Sequence, residues 1–375
     1  MYLKNIWLEN TGPISKLEIE LPFDERGNPK PIVIVGGNGS GKTVLLSYIA
    51  DALVELAKTA FQDIVPGQGV NSPYLRVVGG TNTKLGSQYS LSILQFKDIN
   101  EINSEYNIIY REQVGSAPPD WNEKCQLILN KTLPWSDGSK ELEGQIEEKT
   151  EKIFTNNSIC FFPYNRSERP HWYNPDVVED INDFDTGKNF RKKLKHKPII
   201  ITETASKNQS WLLHLFLDSR ADFDLQYVNQ QINFILRGQQ GELIQRRGAI
   251  SNIESLLKQI LNKSNIRLAL LPRANGLSRI CVVENNEVII PSLDHLSTGQ
   301  ALLFNMFMTI IRYADRADNT KSTALSNIKG IVLIDEIDSH IHADLQYNVL
   351  PNLIKIFPKV QFIVTSHAPP VCIRN

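Results

Sequence analysis

Residues 36 to 43 are Gly36-Gly37-Asn38-Gly39-Ser40-Gly41-Lys42-Thr43, which fits the pattern GxxxxGK[ST]. They follow an apolar run, Ile32 to Val35, and precede a segment, Lys42 to about Phe61, in which leucine and isoleucine recur at helical spacing. Glycines let the main chain curl so that successive N–H groups point inward at phosphate oxygens, and a helix N-terminus adds partial positive charge. The sequence therefore predicts a phosphate-binding loop between a buried strand and a helix.

The side chains and amides of this loop predict binding of ATP with Mg²⁺. Lys42 is expected to reach the β- and γ-phosphates, and Thr43 to supply a hydroxyl to Mg²⁺, an ion that takes few protein ligands and keeps several waters. The residues predicted to bind the nucleotide are Gly36, Asn38, Gly39, Ser40, Gly41, Lys42 and Thr43.

A second apolar run, Ile331 to Ile334, ends in two acids, Asp335 and Glu336. A buried strand of this form, a Walker B strand, places an acid at its carboxyl edge beside the phosphate loop. We expect Asp335 to hold Mg²⁺ through water and Glu336 to be the catalytic base for the attacking water. An ordinary strand end with a solvated acidic pair is the alternative, and the phosphate loop disfavours it.

Composition narrows the class of protein. The 375 residues are 41% hydrophobic and 22% charged, which is typical of a globular protein and disfavours disorder. No apolar stretch approaches the 18 or more residues of a membrane span and no leader pattern opens the chain, so we expect a cytoplasmic protein without a membrane partner. The net charge of −1 gives no global attraction for nucleic acid, so any DNA contact must be local.

The pattern of short strands and helical segments predicts an α/β fold with a mostly parallel core sheet. Another run, Phe362 to Thr365, resembles the two already described. Tyr89 to Phe96 and Tyr106 to Tyr110 favour an antiparallel layer beside that sheet. Helices are predicted from Trp121 to Phe154 and from Gln209 to Lys263, the latter with Ser251 and Glu254 spaced as a capping box.

Leu296-Ser297-Thr298-Gly299-Gln300 precedes a helical apolar stretch and resembles the LSGGQ signature of ABC-type ATPases. The motifs occur in the order of that family, since the signature lies between the phosphate loop and Asp335. Asp338-Ser339-His340 and Thr365-Ser366-His367 then resemble its D-loop and H-switch. The chain thus resembles an ABC-type head of P-loop NTPase fold over nearly its whole length.

The resemblance implies a site shared between two molecules. In that family, the signature helix projects away from its own phosphate loop, so Ser297, Gly299 and Gln300 are expected to contact ATP bound by a partner head. His367 is expected to contact the γ-phosphate or orient the water. Thr298 stands where the family has glycine, and the Ser297 hydroxyl and the Gly299 approach remain. We therefore expect a homodimer or higher oligomer of heads and slow ATP hydrolysis.

The opening segment and the Phe161-Phe-Pro-Tyr-Asn165-Arg166 stretch resemble heads of the SMC, RecF and OLD group more than transporter subunits. In that group Asn165 and Arg166 resemble a segment that senses the nucleotide. Within it, the size and the helical insert look most similar to ATPases of antiphage defence of the OLD and Septu types. That likeness implies a partner effector such as a nuclease, and DNA as a further partner.

The expected organisation is one ATPase head, 1–375, with three parts. These are a P-loop half with the antiparallel layer (1–165), a basic and helical insert (about 166–265), and a half with signature, Walker B strand and H-switch (266–375). The basic run Arg191 to Lys197 is either a solvated surface segment or a polyanion contact. Whether the fold stops at Asn375 or the chain is a fragment is left open by the sequence.

Two other functions remain open at this point. A scaffold held together by ATP would bind the nucleotide and barely turn it over. A RecF-like DNA repair clamp would bind DNA in a salt-sensitive way.

Overall fold

The computed structural model describes residues 1–61, 83–97, 107–144, 147–164, 166, 194, 197–201, 204–218, 222–228, 231–237, 240–271, 280–315 and 323–367. Asn165 and most of the basic run Arg191 to Lys197 lie outside these residues.

Strands and helices alternate along the chain. The strands are β1 (Tyr2–Thr11), β2 (Ile14–Glu20), β3 (Ile32–Val35), β4 (Tyr89–Lys97), β5 (Asn107–Gly115), β6 (Ser139–Glu143), β7 (Ser158–Phe162), β8 (Asp222–Val228), β9 (Gln231–Arg237), β10 (Ile266–Leu270), β11 (Ile280–Glu284), β12 (Glu287–Ile290), β13 (Gly330–Ile334) and β14 (Val360–Ser366). The helices are α1 (Lys42–Lys58), α2 (Trp121–Leu129), α3 (Glu147–Asn156), α4 (Ala205–Asp218), α5 (Gln240–Leu261), α6 (Thr298–Ala314) and α7 (Leu350–Lys355).

Four strands form the central parallel sheet in the order β3-β14-β13-β7. The predicted runs at residues 32–35, 331–334 and 362–365 are three of these strands, so the mostly parallel core sheet is confirmed. Because parallel strands end at the same edge of a sheet, the loops that follow β3, β13 and β14 are neighbours. Ser366 pairs with Val35 at this edge, next to the phosphate loop.

The two helices that carry the phosphate loop and the signature cover opposite faces of this sheet. Ile331 and Leu333 of β13 belong to the hydrophobic cluster that contains α1, whereas Val332 and Ile334 belong to the cluster that contains α6. Side chains alternate between faces along a strand, so the two clusters lie on the two sides of one layer. A single chain therefore presents α1 and α6 on different sides of β13.

An antiparallel sheet of order β2-β1-β4-β5-β6 packs over α1, and the antiparallel layer that the sequence predicted is confirmed. The helical interpretation of residues 121–154 was wrong in its centre, where β6 pairs with β5 between α2 and α3. An ion pair between Arg111 of β5 and Glu141 of β6 joins the two strands.

The inserted region is not purely helical, which corrects the prediction for residues 209–263. A hairpin of β8 and β9 lies between α4 and α5, and its two strands alternate apolar and polar residues over much of their length. The capping-box interpretation was also wrong, because Ser251 and Glu254 lie inside α5. Glu254 Oε1 instead accepts a hydrogen bond of 2.8 Å from the main-chain N–H of Leu268 on β10.

Within the described residues, no helix combines the length and apolar character that crossing a bilayer requires. The division of the head into three parts remains a prediction.

Candidate nucleotide and metal site

The phosphate loop joins α1 at Gly41, the N-cap of the helix, whose φ of 97° lies in the left-handed region. A Cβ at this position would lie 2.9 Å from Ile14 Cγ1 and 3.0 Å from Pro13 Cγ, so both the backbone and the space require glycine. No side chain caps the first turn of α1. The N–H groups of that turn have no intrahelical acceptor and so fit an anionic ligand.

Lys42 is 8% exposed and its ammonium group lies within the loop. Nζ donates hydrogen bonds to the carbonyl oxygens of Gly36 at 2.7 Å and Gly37 at 3.1 Å. It also lies 3.5 Å from Nδ1 of His367 on the neighbouring loop. The lysine is thus anchored at the inner side of the phosphate loop, while Asn38, Gly39 and Ser40 are exposed.

The carboxylate of Asp335, which is 0% exposed, joins α1 to β14. Thr43 Oγ1 donates to Asp335 Oδ2 at 2.7 Å, and Thr365 Oγ1 donates to Oδ1 at 2.5 Å. A carboxylate beside a threonine hydroxyl is a donor set that fits Mg²⁺, which binds through one or two carboxylates together with substrate phosphates and water. Thr43 and Asp335, predicted as metal ligands, are therefore within hydrogen-bond distance of each other.

Glu336 and His367 face each other at the solvent side of the same edge. Oε1 of Glu336 lies 2.9 Å from Nε2 of His367, and the two side chains are 31% and 38% exposed. The backbone of Glu336 is left-handed, with φ of 48°, and its N–H donates to Thr365 Oγ1 at 2.8 Å. The N–H of His367 donates to Asp338 Oδ2 at 3.1 Å. The two loops are thereby fixed to each other on both sides of the Glu336–His367 pair.

Arg166 lies behind this turn and is 6% exposed. Its guanidinium donates to three main-chain carbonyl oxygens, those of Pro163 at 3.0 Å, Asp335, and Glu336 at 2.9 Å. Burial lowers the pKa of Arg166 to about 10, against the opposing attraction of Asp335, Glu336 and Asp338. Two of these three contacts are with the Walker B turn, and the nucleotide-sensing role expected from the sequence remains a prediction.

The signature residues form the N-terminus of α6. Ser297 is the N-cap, and a capping box joins it to Gln300: Ser297 Oγ accepts from Gln300 N at 3.4 Å, and Gln300 Oε1 accepts from Ser297 N at 3.1 Å. Ser297 and Thr298 are exposed and Gly299 is buried. A Cβ on Gly299 would lie 3.2 Å from Leu345 Cδ1 and 3.3 Å from the His340 carbonyl oxygen. The signature therefore presents its serine to solvent and packs its glycine on the D-loop-like segment.

Of the predicted site residues, five are joined by short contacts at one edge of the sheet. They are Lys42, Thr43, Asp335, Glu336 and His367. Ser297, Gly299 and Gln300 begin a helix on the opposite face from α1. Thr365 was missed as a site residue, although it lies in the Thr-Ser-His stretch that the sequence singled out.

Comparison with known proteins identifies the family. Residues 1–371 match the family described as AAA ATPase domain. The chain belongs to this family. It is an ATPase.

The relatives of this ATPase include proteins named for retrons and for Septu. The probable ATPase of retron Ec83 from Escherichia coli is 40% identical over 24% of this chain and 16% of its own length. The probable ATPase of retron Vc95 from Vibrio cholerae serotype O1 biovar El Tor is 23% identical over 98% of this chain and 71% of its own length. The Septu protein PtuA of Bacillus thuringiensis is 24% identical over 43% of this chain and 35% of its own length. The likeness to Septu-type ATPases is thus confirmed, and the chain covers less than two thirds of two of these relatives.

Among solved structures, the SMC head domain from Thermotoga maritima is 13% identical to this ATPase, with a TM-score of 0.44. The alignment covers 99% of this chain and 91% of that one. The predicted P-loop NTPase fold class is confirmed by the match to the AAA ATPase domain family and by the parallel sheet of order β3-β14-β13-β7.

Proposed function

We propose that this ATPase hydrolyses Mg-ATP at a site completed by a second copy of the chain, and that this cycle gates a partner effector acting on DNA. The observation that supports a shared site is the placement of α1 and α6 on opposite faces of the central sheet, with Ser297 exposed at the start of α6. The start of α6 is therefore available to a partner, while α1, which follows the phosphate loop of the same chain, covers the other face of the sheet.

The loop residues bind and orient the triphosphate. Main-chain N–H groups from Gly36 to Thr43 donate to phosphate oxygens, and Lys42, already held by two carbonyl oxygens, reaches the β- and γ-phosphates. Mg²⁺, when bound, neutralises charge on the β- and γ-phosphates. Thr43 and Asp335 hold it, and the hydrogen bond from Thr365 orients the Asp335 carboxylate.

Glu336 accepts the proton of the attacking water on its carboxylate, and His367 orients that carboxylate through the contact at Oε1. In this arrangement Nε2 carries the proton that is donated to Glu336. Nδ1 then faces Lys42, 3.5 Å away, near the phosphate that Lys42 binds. The contact between Glu336 and His367 supports the proposal that they activate a water on the γ-phosphate side.

The second copy supplies the outer half of the site. Its Ser297, Gly299 and Gln300 bring a helix N-terminus towards the γ-phosphate, opposite the N-terminus of α1. Two such N-termini on one triphosphate stabilise the closed pair, and loss of the γ-phosphate removes the bridge between them.

The substitution Glu336→Gln tests the hydrolytic assignment. We expect phosphate release to fall by about 10²- to 10⁴-fold, the range lost with a general base, while ATP binding persists and dimers accumulate. Glu284→Gln, which changes an acid at the end of β11, serves as the control and should turn over normally. Equal turnover in Glu336→Gln would contradict the assignment. Persistent bound ATP in the wild type under single-turnover conditions would favour the scaffold.

Mixing two inactive variants tests the shared site. Lys42→Ala removes the phosphate-loop lysine, and Ser297→Asp keeps an N-cap acceptor on α6 while placing a carboxylate against a partner's phosphates. Each variant alone should be inactive, and a mixture should regain activity because mixed dimers contain one intact phosphate loop facing one intact signature. A mixture as inactive as its components, with dimers present, would show that Ser297 acts within its own chain.

The effector and the DNA contact rest on the likeness to retron-named and Septu-named proteins. Affinity purification with the Glu336→Gln variant and Mg-ATP should recover a partner encoded beside this gene, such as a nuclease. DNA binding by the ATP-bound protein should weaken steeply with salt and on reversal of the charges at Arg191 to Lys197. DNA binding by the dimer without any partner would favour the RecF-like clamp.

A further inference from the structure

A buried arginine holds the main chain of the turn that carries the proposed catalytic base. The guanidinium of Arg166 donates to the carbonyl oxygens of two consecutive residues, Asp335 and Glu336, and to that of Pro163 in its own segment. The two partners on the turn are 169 and 170 residues away in sequence. The contact therefore joins the segment after β7 to the turn after β13, its neighbour in the sheet.

The turn needs such support because its conformation is unfavourable for the residue it carries. Glu336 has a φ of 48°, in the left-handed region that side chains other than glycine and asparagine rarely adopt. A residue stays there only when surrounding contacts fix it. Two of these contacts are the hydrogen bond from Glu336 N to Thr365 Oγ1 and the one from Arg166 to the Glu336 carbonyl oxygen, on the two sides of the residue.

The contacts of Arg166 argue against a direct ligand contact, because its guanidinium donates to three main-chain carbonyl oxygens. The side chain is 6% exposed, whereas Tyr164, two residues earlier, is 52% exposed. The side chains of Lys42 and Glu336 contact the His367 ring, whereas Arg166 contacts the main chain of the Walker B turn. Arg166 thus lies behind the turn, and its fork-shaped donor group matches two adjacent carbonyl oxygens in a way that lysine does not.

We infer that Arg166 is a positioning residue for hydrolysis, fixing the left-handed backbone at Glu336 and so directing the Glu336 carboxylate at His367. This inference rests on the proposed role of Glu336 as the base. In this inference Arg166 does not contact the nucleotide. It affects Glu336 by holding the main chain of the turn.

Steady-state kinetics of Arg166→Lys and Arg166→Met test the inference. We expect kcat to fall by about 10- to 100-fold, the size of effect caused by small misplacement of a catalytic group, while the KM for ATP changes less than about twofold. Arg166→Lys keeps a positive charge, so its kcat should fall less than that of Arg166→Met. The matched control is Arg312→Lys, because Arg312 is another largely buried arginine with its pKa lowered by burial, away from the site. It should lose similar thermal stability and keep kcat.

A double variant separates this inference from the proposed function. In a Glu336→Gln background, Arg166→Lys should cause no further fall in kcat, because the group that it positions is already gone. A raised KM with unchanged kcat in Arg166→Lys would overturn the inference and indicate nucleotide contact. Additive losses in the double variant would also overturn it. Full activity of Glu336→Gln alone would instead show that Glu336 is not the base. That result differs from the two that overturn the role of Arg166.

Discussion

One imidazole ring connects the lysine of the phosphate loop to the acid of the Walker B turn. His367 places Nδ1 3.5 Å from Lys42 Nζ and Nε2 2.9 Å from Glu336 Oε1. The three residues come from loops after β3, β14 and β13, which are consecutive in the sheet. A movement of Lys42 would therefore displace the ring and, through it, the Glu336 carboxylate.

Replacing His367 with alanine should lower kcat more than it weakens ATP binding. The ring is proposed to orient Glu336, whereas the loop amides and Lys42 are proposed to hold the triphosphate, so we expect a fall in kcat of about 10- to 100-fold. Steady-state phosphate release and equilibrium ATP binding measure the two effects. His342→Ala, at an exposed histidine on the segment after β13, is the control. A variant with normal kcat would show that the ring is only structural.

Thr365→Val should impair both stability and hydrolysis. Its hydroxyl donates to Asp335 Oδ1 and accepts from Glu336 N, so valine leaves a buried carboxylate oxygen and a buried N–H without this partner. Such losses cost about 1–3 kcal/mol each in unfolding free energy. Urea denaturation and phosphate release measure the two effects.

Thr309→Val is the matched control for Thr365→Val. Thr309 is equally buried, and its hydroxyl donates to the Asn305 carbonyl oxygen at 2.7 Å within α6. It should lose comparable stability and keep its turnover per folded molecule. Equal turnover losses in both variants would mean that Thr365 acts on the fold alone.

The sequence predicted the parts of the site that are written in short local patterns. The phosphate loop is one continuous stretch, 36–43, and the two acids are adjacent residues, 335 and 336. Each follows a β-branched run that is expected to be a buried strand. The roles of Thr365 and Arg166 were not predictable in this way, because their partners lie 30 and 169 residues away. Those contacts depend on the order of strands in the sheet.

The fold errors have a different cause. Residues 222–227 and 231–234 alternate polar and apolar, a signal for a hairpin, whereas the segments on both sides have helical patterns. Ser251 and Glu254 have capping-box spacing, and only the position of β10 shows that Glu254 binds Leu268 instead. Spacing alone identifies a cap only where a helix actually begins.

Stability should fall at alkaline pH because of Cys160. Burial raises the pKa of this thiol far above the ordinary value of 9.0, so the folded chain keeps it protonated where the unfolded chain ionises it. The protonated thiol makes its whole contribution to the free energy of unfolding below pH 9. Above pH 9 that free energy falls by up to about 1.4 kcal/mol per pH unit, because only the unfolded chain releases the proton. Urea denaturation at about pH 8 and pH 10 measures the loss.

The Cys160→Ala variant isolates this effect. It starts less stable because a buried side chain is truncated, but the difference between wild type and variant should shrink as pH rises. Cys281→Ala, whose thiol pKa is also raised by burial, should show the same trend. A pH-independent difference in both would contradict the linkage.

Gly41→Ala should weaken ATP binding far more than a comparable glycine substitution elsewhere. Alanine at a φ of 97° costs about 1–2 kcal/mol for the backbone alone, and its Cβ would also press on Ile14 and Pro13. The overlap is relieved by a shift of Ile14 and Pro13 or of the first turn of α1, and a shift of that turn displaces the N–H groups proposed to bind the phosphates. We expect the Kd for ATP to rise by at least about tenfold, a loss of about 1.4 kcal/mol.

Gly86→Ala separates the backbone cost from the displacement of the loop. Gly86 also has a left-handed φ, 86°, and a Cβ there would meet nothing within 4 Å. Its alanine variant should lose about 1–2 kcal/mol of unfolding free energy and bind ATP as the wild type does. If calorimetry gave both variants the same Kd, the crowding of Gly41 against Ile14 would have no part in shaping the phosphate site.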